Sequence, residues 1–247
     1  MFATTFLKRQ RKCLMVQEQT MYRFLLVILL GVTLLTGGCG GGDSNRQAPF
    51  MVNADGVSTF DLNQLRSQLN TFPIGSLTAL EEEGLLMMRE EEKLAHDVYT
   101  TLYAQHGLAI FSNIASSELT HTEAVLALLE RYQLTDPVTN NAVGSFSNSE
   151  FTYLYTVLTE SGAISLLEGL YVGAQVEELD IYDLMRLSED IVDNPDIELV
   201  YSNLLKGSRN HLRAFYSQIL NNNGTYRPQY ISQALFDEIV NSPIERG

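Results

Sequence analysis

Glu118 and His121 stand three residues apart in the stretch SNIASSELTHTEAVLALLERY, Ser112 to Tyr132. Stepping by three and four from Ile114 gives Ile114, Glu118, His121, Val125, Leu128 and Tyr132, the spacing of residues that share one buried face of a helix. That face is apolar except for the carboxylate and the imidazole. Burying the two side by side without partners is strongly unfavourable, so a sequence that does this at mid-helix supplies a compensating charge. A metal ion is one such charge, since both side chains are metal ligands and an i, i+3 pair projects inward together. Glu and His also fall three apart by chance, so the other helices have to decide.

The elements that must position this pair can be read from the same periodicity. Prolines are absent from Ile74 to Asp136, glycines are few and no long alternating pattern occurs, which predicts an all-α domain over about 76–240. A first long helix is expected from about Leu77 to His106, with the face Leu85, Met88, Glu92, Ala95, Tyr99, Leu102. Glu90 to Glu92 form a charge run, and such runs are usually solvated. The register nevertheless turns Glu92 inward and Glu90 elsewhere, with Glu91 as the alternative if the face is rotated. After the Glu118 helix, Asp136-Pro137 breaks the pattern and a short helix is expected at about 149–160, so some thirty residues are available for a crossover along the bundle. A third long helix, about 164–190, has the face Leu166, Leu170, Gly173, Glu177, Asp180, Leu184, Leu187. Gly173 there means either tight helix packing or room for a ligand. Asn194-Pro195 opens a fourth helix to about Asn222, with the face Ile197, Tyr201, Leu204, Ser208, His211, Phe215, and a last short helix follows at about 232–240.

Every polar interruption falls near the middle of its helix: Glu92; Glu118 with His121; Glu177 with Asp180; Ser208 with His211. Antiparallel helices of similar length align their midpoints, so these side chains are expected in one layer of the core. Four carboxylates and two imidazoles are the donor set of a dinuclear carboxylate site. The other reading is a buried polar network or several unrelated salt bridges. Tyr99, on the face of Glu92, is either a core tyrosine with its hydroxyl satisfied or a group that tunes the site.

The N-terminal quarter reads differently. Residues 1–20 are a basic extension, and Met21 is a candidate true start. Arg23, the apolar run Phe24 to Leu35 and Thr36-Gly37-Gly38 form a signal peptide over 21–38, with Cys39 placed like the lipidated cysteine of a bacterial lipoprotein. Residues 39–75 are expected to be a flexible tether with one short helix near Asp61 to Leu69, and 241–247 a C-terminal tail. The chain would then be held at the cell envelope through its lipid, on the periplasmic side of the outer membrane in a two-membrane bacterium. Cys13 and Cys39 are the two cysteines, so a metal in the bundle must be held by oxygen and nitrogen. A formal net charge of −14 argues against nucleic acid as a partner.

From about Leu77 to Val240 the chain resembles the ferritin-like superfamily and, within it, a bacterial family of unknown function called DUF2202. The segments EEEKLAHDVYTTLY (Glu90 to Tyr103), NIASSELTHTEAVLALLERY (Asn113 to Tyr132), GAQVEELDIYDL (Gly173 to Leu184) and NLLKGSRNHLRAF (Asn203 to Phe215) carry the resemblance. It implies a ferritin-like four-helix bundle with a long crossover between helices 2 and 3 and short accessory helices. It also implies a Glu on the first helix with a Tyr seven residues on, matched by Glu92 and Tyr99; Glu-x-x-His on the second, matched by Glu118 and His121; and a Glu on the third, matched by Glu177 or Glu178. The fourth helix should repeat Glu-x-x-His, but Ser208 stands in the place of the Glu before His211. Asp180, three residues after Glu177, sits where rubrerythrin-like members carry a second third-helix Glu. The implied cofactor is two Fe or Mn ions, with one or none as the outcomes if Ser208 removes a position. Glu92 and Glu177 would be terminal ligands, Glu118 the bridge, His121 and His211 the nitrogen ligands and Tyr99 a hydrogen-bonding neighbour. The implied activity is that of an oxidoreductase acting on oxygen or peroxide or oxidising Fe(II), with any electron donor a separate protein. The competing expectation is a non-catalytic envelope lipoprotein; a homodimer is left open.

Overall fold

A small antiparallel hairpin comes first among the described elements: β1 (Phe50–Val52) pairs with β2 (Ser58–Phe60), Phe50 opposite Phe60. This computed structural model describes residues 49–53, 56–191 and 193–246. The extension 1–20, the signal segment 21–38 and Cys39 lie outside the described residues. After the hairpin come α1 (Leu62–Leu69), α2 (Ala79–His106), α3 (Ala109–Arg131), α4 (Ser149–Gly162), α5 (Leu166–Glu189), α6 (Pro195–Asn221) and α7 (Gln233–Asn241). The architecture is mostly helical, as the periodicity predicts.

The helix limits have local causes. Thr78 and Glu81 form a reciprocal capping box that starts α2, and Gly107, at φ 66°, ends it in the left-handed conformation that glycine adopts without strain. Ser165 caps α5 through the Glu168 N–H, and Pro195 occupies the first turn of α6. Asn194 was expected to cap α6 but makes no side-chain cap bond; its amide instead donates to Glu81 Oε1 at 2.7 Å, tying the start of α6 to the start of α2.

Contacts between helices fix the topology. Arg89 reaches the Thr122 carbonyl while Glu92 lies beside His121, so α2 and α3 are antiparallel. Ser208 bonds Asp180 and His211 faces Glu177, so α5 and α6 are antiparallel as well. Tyr99 bonds Glu177 at one end of the α2–α5 contact and Gly84 abuts Leu187 at the other; Ser117 meets His211 while Arg131 meets Asp196 across α3 and α6. The four long helices therefore run up, down, down and up, and the segment from Tyr132 to Ser165 must travel the length of the assembly. That segment contains α4 and lies on the outer side of α2. It covers Glu90, part of the charge run that was expected to be solvated, and the neighbouring Lys93, both of which are buried. Glu90 accepts from the Ser147 N–H at 2.6 Å, Lys93 pairs with Asp97 and lies 4.7 Å over the Phe146 ring, and Asp97 accepts from the Gly144 N–H.

Apolar packing divides into two clusters. One gathers Val98, Tyr99, Leu102, Phe111, Leu170, Leu212 and Phe215; the other gathers Leu85, Met88, Val125, Leu128, Leu184, Val200 and Leu204. Gly173 lies in the first region, where a Cβ would overlap the Phe215 ring, so its role is tight packing.

The tether expectation for 39–75 is corrected from residue 49 onward. The expected short helix is present as α1, but the hairpin before it is part of the core: Phe50, Phe60, Leu65 and Leu69 are buried in the second cluster. Short strands of three residues carry too little alternation to be seen in sequence, and their apolar side chains are satisfied by helices distant in the chain. The C-terminal tail is docked too, with Glu245 accepting from Arg209 at 2.7 Å and Arg213 at 2.9 Å. Replacing Phe60 by Ala is expected to destabilise the protein by about 3 kcal/mol in denaturant unfolding, as for a buried core aromatic. A flexible tether would show no change.

Candidate metal centre

Four helices deliver one side chain or pair each to a layer between the two apolar clusters. Glu92 comes from α2, Glu118 and His121 from α3, Glu177 from α5 and His211 from α6, and all five are at most 2% exposed. Glu118 is central. Its Oε2 lies 2.7 Å from His121 Nδ1 and its Oε1 lies 2.8 Å from His211 Nδ1. Glu92 Oε2 is 3.4 Å from His121 Nδ1, and Glu177 Oε2 is 3.5 Å from His211 Nδ1. Two overlapping triads result, Glu92–Glu118–His121 and Glu118–Glu177–His211, with the donor atoms of each within 4.8 Å of one another.

These are ion-pair contacts without the alignment of hydrogen bonds. Among the described residues, Nδ1 of both rings, Oε1 of Glu118 and Oε1 of Glu92 have no hydrogen-bond partner despite complete burial. Orphaned buried donors and acceptors are rare and unfavourable. Ligands of one transition-metal ion, each about 2 Å from it, lie about 3–4 Å apart; the imidazole–carboxylate separations of 2.7 to 3.5 Å are close to that, so the residues of each triad could hold a metal ion.

The surrounding groups are ordered around this layer. Tyr99 donates to Glu177 Oε1 at 2.6 Å and lies 3.2 Å from the Gly173 carbonyl, which leaves Glu177 Oε2 facing His211. Asp180, expected among the ligands, is buried in the same region but belongs to neither triad. Its Oδ2 accepts from Ser208, and its Oδ1 has no hydrogen-bond partner. Glu178, the alternative to Glu177, points away and binds the chain after α6: it accepts from the Tyr226 hydroxyl and from the Gln229 N–H at 3.0 Å. Glu91, the alternative to Glu92, is buried outside both triads.

Two contributors were missed in the sequence. Ser58, from β2, places its Oγ 2.8 Å from His121 Nε2 and 3.1 Å from His211 Nε2. Ser117, one residue before Glu118, places its Oγ 3.0 Å from His211 Nε2. No periodic signal marks a strand residue assigned to a tether. Ser117 was visible as a neighbour of the motif, and its small size gave no reason to single it out.

Burial and mutual charge set the protonation of the layer. Burial pushes Glu92 and Glu177 up to about 7, with Glu118 as a like charge adding to it and the imidazoles opposing it. Burial acts against the charged forms of Glu118, His121 and His211 too, but here attraction wins. His211 and His121 hold Glu118 well below the usual carboxylate range, and Glu118 with Glu92 or Glu177 raises His121 to about 10 and His211 to about 9. Burial, with Glu92 and Glu91 as like charges, raises Asp180 far above an ordinary carboxyl. In the metal-free protein, protons supply the positive charge of this layer.

That protonation pattern makes stability depend on pH. Glu92, Glu177, His121 and His211 bind protons more tightly folded than unfolded, so their contribution is fully present below the unfolded values, near 4.5 for Glu and 6.5 for His. It is lost as pH rises through about 7 for the two glutamates and about 9 to 10 for the two histidines. Glu118 has the opposite sign, with a contribution lost on acidification. The melting temperature of chelator-treated protein is therefore expected to fall between pH 5 and pH 10, and a divalent metal should flatten that fall by replacing the protons. Thermal melts followed by circular dichroism across that range, with and without metal, check it; a melting temperature that rises with pH would contradict the assignment.

With the geometry in hand, similarity to known proteins can be placed. Residues 81–243 match the family described as an uncharacterized protein domain, DUF2202. The uncharacterized protein MJ0754 of Methanocaldococcus jannaschii is 50% identical over 179 residues, covering 72% of this chain and 96% of its own length. The crystal structure of hypothetical protein MJ0754 from Methanococcus jannaschii is similar with a TM-score of 0.69 at 50% identity, over 70% of this chain and 99% of that one. This relative is archaeal, so the family is wider than the bacterial one the motifs suggested. The match extends over the whole of α3 to α7 and nearly all of α2, every helix that supplies a donor among them, and the chain belongs to the DUF2202 family.

Proposed function

We propose that the protein is a ferritin-like dinuclear metalloprotein that holds two iron or manganese ions and acts on oxygen or peroxide or oxidises Fe(II). The observation that carries this reading is the pair of buried triads sharing Glu118, with both imidazole Nδ1 atoms within 2.8 Å of its carboxylate and without a hydrogen bond. The up, down, down, up course of the four long helices supports the ferritin-like assignment. Glu92, Glu118 and Glu177 would hold the ions through oxygen, with Glu118 common to both triads, and His121 and His211 would hold them through nitrogen. When bound, the ions would supply Lewis acidity and, for iron or manganese, a redox couple.

The chain's own residues define what surrounds that chemistry. Apolar clusters above and below the layer exclude water. The Tyr99 hydroxyl fixes Glu177 through one oxygen and directs the other toward His211. Burial, with Glu92 and Glu91 as like charges, raises the Asp180 carboxyl, so a cation at the Glu92 triad would favour its ionisation. Asp180 would then restore the fourth negative charge that Ser208 lacks, to offset two divalent ions.

Anaerobic loading of metal-free protein with Fe(II) or Mn(II), followed by metal analysis and an Fe(II)-dependent oxygen-consumption assay, tests this reading. Two equivalents are expected. Glu118→Gln should weaken both by more than about 100-fold, beyond the range seen when an outer hydrogen-bond partner is lost. Less than one equivalent in the unaltered protein would instead favour a non-catalytic bundle.

The location forms part of the same reading: export with lipid attached at Cys39, and an envelope site of action. Cys39 lies outside the described residues, and among those described no helix is long and apolar enough to cross a membrane. Cys39→Ser is expected to release the protein from the membrane fraction or stall its processing. Normal processing with continued membrane attachment would rule the lipid anchor out.

A further inference from the structure

Ser58 lies outside the residues matched to the family, yet its side chain is fully buried between the two imidazoles of the centre. The proton count around it is forced. Ser117 donates its hydroxyl proton to the Ser58 carbonyl, an acceptor with no proton of its own. Ser117 Oγ is then an acceptor for its other neighbours, the Ser58 N–H at 3.0 Å and the Ser58 hydroxyl at 2.8 Å. Ser58 has thus used its one hydroxyl proton and can only accept from the rings. Nε2 of His121 at 2.8 Å and Nε2 of His211 at 3.1 Å are then both donors to Ser58 Oγ, and His211 Nε2 also lies 3.0 Å from Ser117 Oγ.

The fold is shaped to allow this arrangement. A Cβ on Gly207 of α6 would stand 2.7 Å from His121 Cε1 and 2.9 Å from both His121 Nε2 and Ser58 Oγ, so a side chain there would displace the bond. Strand β2 is held in place by α3, through Ser117 and through Thr120 Oγ1, which accepts the Phe60 N–H at 3.2 Å. Phe60 also packs edge-on to the His121 ring at 5.8 Å.

We propose that Ser58, carried by the N-terminal hairpin and backed by Ser117, is a positioning residue for both halves of the centre. Its Oγ accepts from Nε2–H of His121 and of His211 and so commits both Nδ1 lone pairs to metal ions on the Glu118 side. This inference rests on the metal reading above. Fixing an imidazole through its remote nitrogen sets the tautomer and the ring orientation and raises ligand basicity, and loss of such a partner weakens metal binding by about 10- to 100-fold. A single hydroxyl shared by two rings makes that effect common to both ions.

The test uses the full chain loaded with Co(II), whose paramagnetism shifts the exchangeable imidazole N–H protons clear of the rest of the proton NMR spectrum. The unaltered protein is expected to bind two equivalents and to show two slowly exchanging shifted N–H protons, both on Nε2. Ser58→Ala should keep its helical circular dichroism, bind both equivalents at least about tenfold more weakly and exchange both protons rapidly, whereas Ser58→Thr, which keeps the hydroxyl, should recover affinity and slow exchange. Unchanged affinity and unchanged exchange in Ser58→Ala would overturn the inference while leaving the metal reading intact. Absence of Co(II) binding in the unaltered protein would overturn the metal reading itself. If Ser58→Ala fails to fold, the unaltered protein still decides: shifted protons located on Nδ1, with Nε2 as the ligand, would overturn the inference.

Discussion

Glu118 sits in the dry centre of the protein between two imidazoles, one against each carboxylate oxygen. A buried carboxylate in that position requires positive charge on both sides, and the described residues of the layer offer no lysine or arginine to supply it. Either the imidazoles carry protons or metal ions stand in their place. Much of the fold follows from this requirement. The polar layer gains nothing from hydrophobic burial, so the apolar clusters on either side must stabilise the bundle against its cost. The antiparallel registers of α2 with α3 and α5 with α6 keep the five donors at one depth.

The same constraint explains why the centre was legible in the sequence. A residue that must be both buried and charged appears as a break in an apolar helical face, and Glu92, Glu118, His121, Glu177 and His211 all appeared that way. The choice between Glu177 and Glu178, or Glu92 and Glu91, was one of register that the sequence left open, and in the structure Glu177 and Glu92 are the ones in the triads. Periodicity assigns a face but not a partner. Asp180 lies on the correct face, yet Ser208 captures one of its oxygens and the residue falls outside both triads. The helix limits were legible for a different reason, because caps such as Thr78 with Glu81 are local chemistry.

What the sequence did not disclose is what depends on partners far along the chain. Glu90 read as part of a solvated run because its cover, which also covers Lys93 and Asp97, is Gly144 to Asn148, some fifty residues on in the crossover. Burying them costs desolvation, which Ser147 N–H, Gly144 N–H and the Phe146 ring offset by direct contact. The hairpin was hidden for the same kind of reason. Three-residue strands rich in Ser, Thr and Phe carry no period, and glycine-rich flanks made the region look like a tether.

That hairpin joins the stability of the fold to the state of the centre. Two strands of three residues are marginal by themselves, so β1 and β2 hold together because Phe50 and Phe60 enter the core and Ser117 and Thr120 bind the backbone of β2. On its inner side the hairpin presents the hydroxyl of Ser58 to both imidazoles. Any ligand that favours one ring orientation at Nδ1 therefore favours the docked hairpin at Nε2, and by thermodynamic linkage a docked hairpin favours that ligand to the same degree. The coupling passes through the two rings alone, over a few ångströms, and needs no movement of the long helices. A segment outside the four long helices thus helps to set the imidazoles at their centre through two hydrogen bonds.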